Sequence, residues 1–334
     1  MSQAIRWGIL GTGKIAKAFA SALKDTPGAE LAAVASRSVD GAAAFAAEFG
    51  AARSHGSYQA LADDAGIDVV YIATPHPMHH DNAMLCLRGG KGVLVEKSFT
   101  MNRPQAEDII ALARQKKLFV MEAMWTRFMP AVREAKRIVD SGEIGRAVQV
   151  NADFGFAADF APEHRVLNPE LGGGALLDLG IYPLSMAAFF LGAVESVQAQ
   201  AQMGPTGVDV QTAFSLRHEG GGLSACSCSL LARTPTELTI SGSKGFVRLH
   251  DRFHNTEEIS VTLVSGAARS SRSIVLPRSG NGYAHEAIEV GRCLRAGLIE
   301  SPIMPHAETL ALMGVLDTIR EQIGLRYGAD RNDG

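Results

Sequence analysis

Gly8-Ile9-Leu10-Gly11-Thr12-Gly13-Lys14-Ile15-Ala16 is the stretch that decides the fold of this chain. Ile5 to Leu10 reads as a strand. Lys14 to Lys24 reads as a helix, with Ile15, Ala18, Phe19, Ala22 and Leu23 on one apolar face. Between them, Gly11, Gly13 and Ala16 fit the G-x-G-x-x-G/A spacing. Glycine permits the tight turn and lets the backbone approach a pyrophosphate, whose charge rests at the helix N-terminus. Gly11, Thr12, Gly13, Lys14 and Ile15 are therefore the expected phosphate contacts of a bound dinucleotide.

The alternation continues outward. Leu31 to Ala35, Val69 to Ala73, Val93 to Val95 and Leu118 to Met121 read as strands. Val39 to Phe49, Tyr58 to Ala65, Met78 to Leu87 and Pro104 to Lys116 read as helices. Continuous apolar strands alternating with helices imply a parallel sheet covered on both faces, an α/β Rossmann domain over residues 1–122. After Glu122 the pattern changes. Helices at Arg133 to Val139 and Leu176 to Leu191 flank a long strand, Ala147 to Phe156. Strand-like runs then follow from Val194 to Val264 without helices between them, and Gly220-Gly221-Gly222 suits a tight hairpin. Residues 123–334 are read as an α+β substrate and dimerisation domain with a large, mostly antiparallel open sheet, closed by helices at Ala284 to Leu294 and Glu308 to Gln322.

Whole-chain properties narrow the function. The 334 residues suffice for two domains, with 46% apolar and 20% charged residues in a normal globular balance. The formal net charge is −3 and Lys and Arg do not cluster, which excludes an electrostatic nucleic-acid footprint. Met1 to Arg6 lacks the basic-then-apolar form of a signal peptide, and no uninterrupted apolar run reaches about eighteen residues, so a cytoplasmic protein without a membrane partner is expected. Cys86, Cys226, Cys228 and Cys293 form no Cys-x-x-Cys pair and read as buried thiols.

The second strand ends Ala35-Ser36-Arg37, without the acidic residue that binds a ribose 2′-hydroxyl in many NAD enzymes. Ser36 can donate a hydrogen bond and Arg37 can pair with a 2′-phosphate, which predicts NADP, with NAD the alternative. Thr74-Pro75-His76 with His79 follows one strand, and Glu96-Lys97-Ser98 ends another. Ligands of doubly wound sheets bind outside the carboxyl ends of strands, so Lys97 is expected to face the cofactor crevice. No H-E-x-x-H occurs and His76 with His79 lacks a third ligand, so no metal is expected. Further on, Gly172 to Pro183 opens a helix in which Asp178 and Tyr182 stand four apart and share a face.

Taken together, these residues resemble the Gfo/Idh/MocA oxidoreductase family, along most of the chain. The branch of dihydrodiol and NADP-linked D-xylose dehydrogenases is the most similar through Met121 to Pro130, Gly172 to Pro183 and the tyrosine at 182, where many relatives have histidine. The resemblance implies that Lys97 and Tyr182 are the catalytic pair, with Asp178 in support. It adds Thr74, Pro75, His76, His79, Glu96, Trp125 and Arg127 to the cofactor contacts. It implies that Trp125, Phe154 and Tyr283 line the substrate cavity. Relatives usually have Glu-Lys-Pro, often with a cis bond. Serine at 98 removes proline's reason for that isomer, which elsewhere costs roughly 2.5–4 kcal/mol, so the sequence leaves the isomer of the Lys97–Ser98 bond, and with it the aim of Lys97, open.

The expected reaction transfers hydride between a nicotinamide and a hydroxyl of a sugar or cyclic trans-diol. The alternative is a dinucleotide-binding regulator of the same fold. Apolar residues on both alternating faces of Val194 to Leu231, notably Val197, Val208, Val210, Leu223 and Leu230, predict an uncovered sheet face and a homodimer.

Overall fold

The structure is a computed structural model that describes residues 4–330. The chain divides into two compact units, Met1–Trp125 with Ser279–Leu310, and Thr126–Arg278 with Ala311–Gly334.

The first unit begins β1 (Ile5–Leu10), α1 (Lys14–Lys24), β2 (Ala29–Ala35), α2 (Val39–Phe49), β3 (Arg53–His55), α3 (Tyr58–Ala62), β4 (Val69–Ile72), α4 (His79–Arg88), β5 (Gly92–Glu96), α5 (Arg103–Lys116) and β6 (Val120–Ala123). The strands form one parallel sheet in the order β3-β2-β1-β4-β5-β6. All residues of β4 and β5 are buried, which is why those strands read as continuous apolar runs. Leu10 pairs with Ala35 on one side and Ile72 on the other, and Ile72 pairs with Val95. The next residues of these strands, Gly11, Ser36, Ala73 and Glu96, are thus brought to one carboxyl edge, where the strand order reverses between β1 and β4. Trp7, Phe19 and Tyr71 fill the interior beneath that edge, with Phe19 stacked on Tyr71 at 3.8 Å. The sequence reading missed β3, because Arg53-Ser54-His55 is polar and owes its conformation to pairing with β2.

Helix starts in this unit follow their capping residues. Ser38, Ser57 and Asn102 accept from backbone amides at the starts of α2, α3 and α5. The N-cap of α1 is Gly13, which offers no side-chain acceptor.

The second unit contains α6 (Pro130–Asp140), β7 (Ala147–Gly155), α7 (Ile181–Leu191), β8 (Val194–Met203), β9 (Asp209–His218), β10 (Leu223–Ser229), β11 (Leu238–Gly242), β12 (Gly245–Leu249), β13 (Glu258–Ser265) and β14 (Ala268–Val275). Its sheet runs β14-β13-β12-β11-β7-β10-β9-β8, antiparallel throughout except for β7 beside β10. Gly221, at φ +80°, makes the hairpin between β9 and β10, closed by His218 N–H donating to the Gly222 carbonyl at 2.9 Å. α7 packs on β7 and β10, and α6 on β12 and β13.

The opposite face of this sheet differs from the expectation. Val208, Val210 and Leu230 are in the core, at 0%, 5% and 1% exposure, whereas Leu223 is 54% exposed. The register places Gln149, Asn151, Gln198, Gln211, Ser215 and Arg217 on the exposed face with Leu223, Ala213 and Ala225. That face is open but largely polar, because only alternate residues of each strand reach the interior.

After β14, α8 (Ala284–Arg295) and the start of α9 (His306–Ile323) belong to the first unit. Asn281 Nδ2 donates to the Ala18 carbonyl at 2.8 Å, Arg295 Nη2 to the Gly28 carbonyl at 3.0 Å, and the Val120 amide to the Ile299 carbonyl at 3.0 Å. The expected second domain, 123–334, is corrected accordingly: Ser279–Leu310 return to the first unit, through contacts that a local sequence pattern does not announce. All four cysteines are buried and unbridged, as read from the sequence. Pro169–Leu191 is long and apolar enough to cross a bilayer by length and composition, and it lies mostly buried inside its unit, as a core helix does.

Candidate active site

In the first unit, the glycine turn is shaped by close approach. Gly11 has φ +107°, and a Cβ there would lie 3.0 Å from the Ala73 carbonyl oxygen. A side chain is barred by conformation and space together. Nothing lies within 4 Å of a Cβ placed on Gly13. No side chain caps α1, and the amides of a first helical turn have no partner within the helix, the arrangement that holds a pyrophosphate. Thr12 and Ile15 are half-buried beside it, and Lys14 is exposed. These residues fit a dinucleotide. At the end of β2, Ser36 is half-buried and its Oγ accepts from the Ser38 amide at 3.3 Å, while Arg37 is exposed.

Two histidines tie the ends of β4 and β5 together. His76 Nε2 lies 3.1 Å from the Lys97 carbonyl oxygen. His79 Nδ1 lies 3.0 Å from the Ser98 carbonyl oxygen and its Nε2 2.9 Å from that of Thr74. His79 has no exposed surface, and burial pushes its imidazole below the ordinary histidine range. It braces the turn from behind, where the resemblance had implied a cofactor contact. Thr74 Oγ1 accepts from Asn82 Nδ2 at 3.1 Å, and Pro75 is exposed on the same turn. The Lys97–Ser98 peptide, whose isomer the sequence left open, is cis. Its flanking carbonyls are the ones that His76 and His79 hold.

Glu96 is buried. It accepts from the Tyr71 hydroxyl and, at 3.3 Å, from the Lys97 amide. Glu286, on α8, is also fully buried, and neither carboxyl oxygen has a hydrogen-bond partner. Burial, with the Glu96 charge added, pushes its pKa well above the ordinary carboxylate range. Trp125 stacks on Tyr283 with ring centroids 4.4 Å apart, so two of the expected substrate-lining residues are brought together.

In the second unit, Leu176–Gly180 forms a π-helical turn that runs into α7. The expected continuous α-helix is interrupted there, so Asp178 and Tyr182 straddle a change of helix type. Such turns are frequent at functional sites. Asp178 accepts a two-pronged pair from Arg165, at 3.0 and 3.4 Å. Tyr182 is 7% exposed and sits against Phe154 and His254, at centroid distances of 5.3 and 5.6 Å. Phe154 stacks on His254 at 4.5 Å. The sequence reading found Asp178, Tyr182 and Phe154. It missed Arg165 and His254, which come from a loop and a short 3-10 turn (Phe253–Asn255) without periodic pattern.

Arg127 departs from its expected role. It is fully buried, with Nε donating to Ser185 Oγ at 2.9 Å and Nη2 to the Ser185 carbonyl at 2.7 Å, and its guanidinium lies 5.0 Å from the Phe189 ring centroid. A side chain without accessible surface anchors α7 here rather than contacting a cofactor.

Residues 5–124 match the model of an oxidoreductase family with an NAD-binding Rossmann fold, and residues 132–248 match the GFO/IDH/MocA C-terminal domain. The trans-1,2-dihydrobenzene-1,2-diol dehydrogenase of Mus musculus is 35% identical, covering 98% of this chain and 99% of its own. That of Danio rerio is 36% identical over the same shares. Among solved structures, a 3-ketoreductase from Actinomadura kijaniata, in complex with NADP and TDP-benzene, superposes with a TM-score of 0.85 at 28% identity, covering 96% of this chain and 98% of that one. A levoglucosan dehydrogenase shares the fold at TM-score 0.87 and 22% identity, covering 96% of this chain and 98% of its own. With both halves matched and full-length relatives above a third identity, the chain belongs to the Gfo/Idh/MocA family of NAD-binding oxidoreductases.

Proposed function

We propose that this oxidoreductase exchanges hydride between NADP and a secondary or hemiacetal hydroxyl of a cyclic trans-diol or sugar, as a cytoplasmic homodimer. The observation that carries the reading is Tyr182: a nearly buried phenol in an aromatic cluster, one turn from a carboxylate that Arg165 holds in place. The names of the relatives support alcohol or carbonyl substrates of this kind.

When bound, the nicotinamide takes or gives the hydride. The chain's own residues handle the proton. A tyrosine of ordinary pKa, about 10, is a weak base at neutral pH. The resemblance pairs it with Lys97, whose ammonium favours the phenolate and the developing alkoxide. Phe154 and His254 flank the phenol ring on its own unit and exclude water from it. Exposed Arg37 and the Ser36 hydroxyl supply the chemistry for a 2′-phosphate. Homodimer formation is supported by an eight-stranded sheet with one uncovered face.

The test is nicotinamide reduction followed by absorbance with NADP and a panel of aldoses, inositols and cyclic trans-diols. Turnover on the diols or the sugars is expected and selects between them. Tight NADPH binding with no turnover on any member of the panel would contradict the reading and favour a regulator.

A further inference from the structure

The turn that leads into Tyr182 is held by a carboxylate with no part in the reaction above. Asp209 opens β9 and has no exposed surface. Its Oδ2 accepts from the Leu176 amide at 2.8 Å and from Thr212 Oγ1 at 2.6 Å. Leu176 is the first residue of the π-helical turn that carries Asp178 and delivers the chain to α7. Asp209 Oδ1 is buried without a hydrogen-bond partner. It faces Gly174, where a Cβ would lie 2.3 Å from Oδ1 and 3.0 Å from the Tyr327 hydroxyl. Gly174 has φ +124°, so neither space nor conformation admits another residue. The Tyr327 hydroxyl donates to the Gly173 carbonyl, and its ring lies 5.4 Å from the Arg320 guanidinium carbon, itself paired with Asp317 and Asp330 at 2.6 Å. The segment from Gly173 to Leu176 is therefore gripped from two sides.

We propose that Asp209 is a positioning residue: its ionised carboxylate fixes the Leu176 amide and, through the π-helical turn, the placement of Asp178 and Tyr182. The proposal rests on the reading of Tyr182 as the proton-transfer group. Its physical basis is the strength of a charge-assisted hydrogen bond, roughly twice that of a neutral one. Replacing the charge with a neutral acceptor leaves the amide paired but loosely aimed.

Protonation does the same. Burial pushes Asp209 up to about 6, against the pull of the Thr212 and Leu176 bonds. Tyr327 and Cys228 are both pushed upward by burial, and Arg320 stays cationic. Asp178, on the turn, is paired with Arg165. The carboxylate is present above about 6 and is lost as pH falls through that value. Turnover should fall with it, while KM for NADP holds.

The experiment measures kcat and KM against pH in the carbonyl-reducing direction, where protonated Tyr182 is the acid and adds no acid limb of its own, for the wild type, Asp209→Asn and Thr212→Val, with Tyr182→Phe alongside and a thermal midpoint for each. The wild type is expected to lose kcat on the acid side with a midpoint near 6. Asp209→Asn should lower the plateau about tenfold and abolish that acid limb. Thr212→Val removes a donor that favours the ionised form, so the limb should move to higher pH. It also keeps the carboxylate, and so serves should the asparagine variant fail to fold. A wild type without the limb, a limb that persists in Asp209→Asn, or one unmoved in Thr212→Val overturns the proposal. Full turnover in Tyr182→Phe overturns the reading beneath it instead.

Discussion

Single residues in this chain are fixed by what their neighbours permit. Gly11 is the plainest case, since its backbone is left-handed and the Ala73 carbonyl stands where a side chain would begin. Gly11→Ala should cost on the order of 1–3 kcal/mol of stability and weaken NADP binding at least about tenfold, read by NADPH fluorescence titration. Wild-type affinity in that variant would remove the glycine turn from the cofactor site. Arg37 makes the opposite kind of claim, because it is exposed. Arg37→Ala should weaken NADP by about 1.5–3 kcal/mol and leave NAD nearly unchanged. A parallel loss for both cofactors would mean that Arg37 does not read the 2′-phosphate. The proposed site residues divide in the same way. Lys97 and Tyr182 stand in recognisable local strings, at a strand end and after a glycine run. Arg165 and His254 have no such string. They matter because the folded chain brings them to Asp178 and Tyr182, which no spacing in the sequence encodes.

Elements were legible where burial repeats with a fixed period. β4 and β5 are apolar at every residue because both sheet faces are covered, and β9 alternates because one face is open. β14 escaped, since Ala268–Val275 is exposed along nearly its whole length and holds its form by pairing with β13. The π-helical turn escaped because a helix of either kind buries the same apolar residues, and what distinguishes them is the i→i+5 backbone bonding, which no residue pattern announces. α8 offers a prediction at this scale. Its Glu286 has no hydrogen-bond partner and a raised pKa, whereas in the unfolded chain a glutamate ionises near 4.5. Above that pH the unfolded chain releases a proton that the folded chain keeps, so folding weakens as pH rises toward the folded value. Glu286→Gln has no proton to release. Its thermal midpoint should pull ahead of the wild type as pH rises from about 5 to 8, reaching about 2–4 °C. A constant difference between the two proteins across that range would show that Glu286 does not titrate as described.

At the scale of the whole molecule, the order of elements was readable and the return of the chain was not. The parallel character of one sheet and the mostly antiparallel character of the other follow from strand patterns and the links between them, whereas the strand orders, with β7 set between β11 and β10, do not. Ser279–Leu310 rejoin the first unit through scattered contacts, among them those of Asn281, Arg295 and Ile299 and the stacking of Tyr283 on Trp125. The homodimer is also a whole-molecule claim. The face expected to drive it proves mostly polar, with Gln149, Asn151, Gln211 and Arg217 around Leu223. An interface there would be bonded more through side-chain amides than through apolar burial. Light scattering should give twice the 35.4 kDa subunit mass, and Leu223→Asp should shift it toward the monomer. A wild-type mass of one subunit would remove the dimer.

The most direct test compares single-turnover hydride transfer by the wild type and by Tyr182→Phe, with NADP and the best substrate of the panel, at saturating concentrations of both. Loss of the phenol should slow the step by roughly a hundredfold or more while NADP still binds with wild-type affinity. A near-normal rate in Tyr182→Phe would contradict proton transfer by Tyr182 and leave Lys97 to carry it.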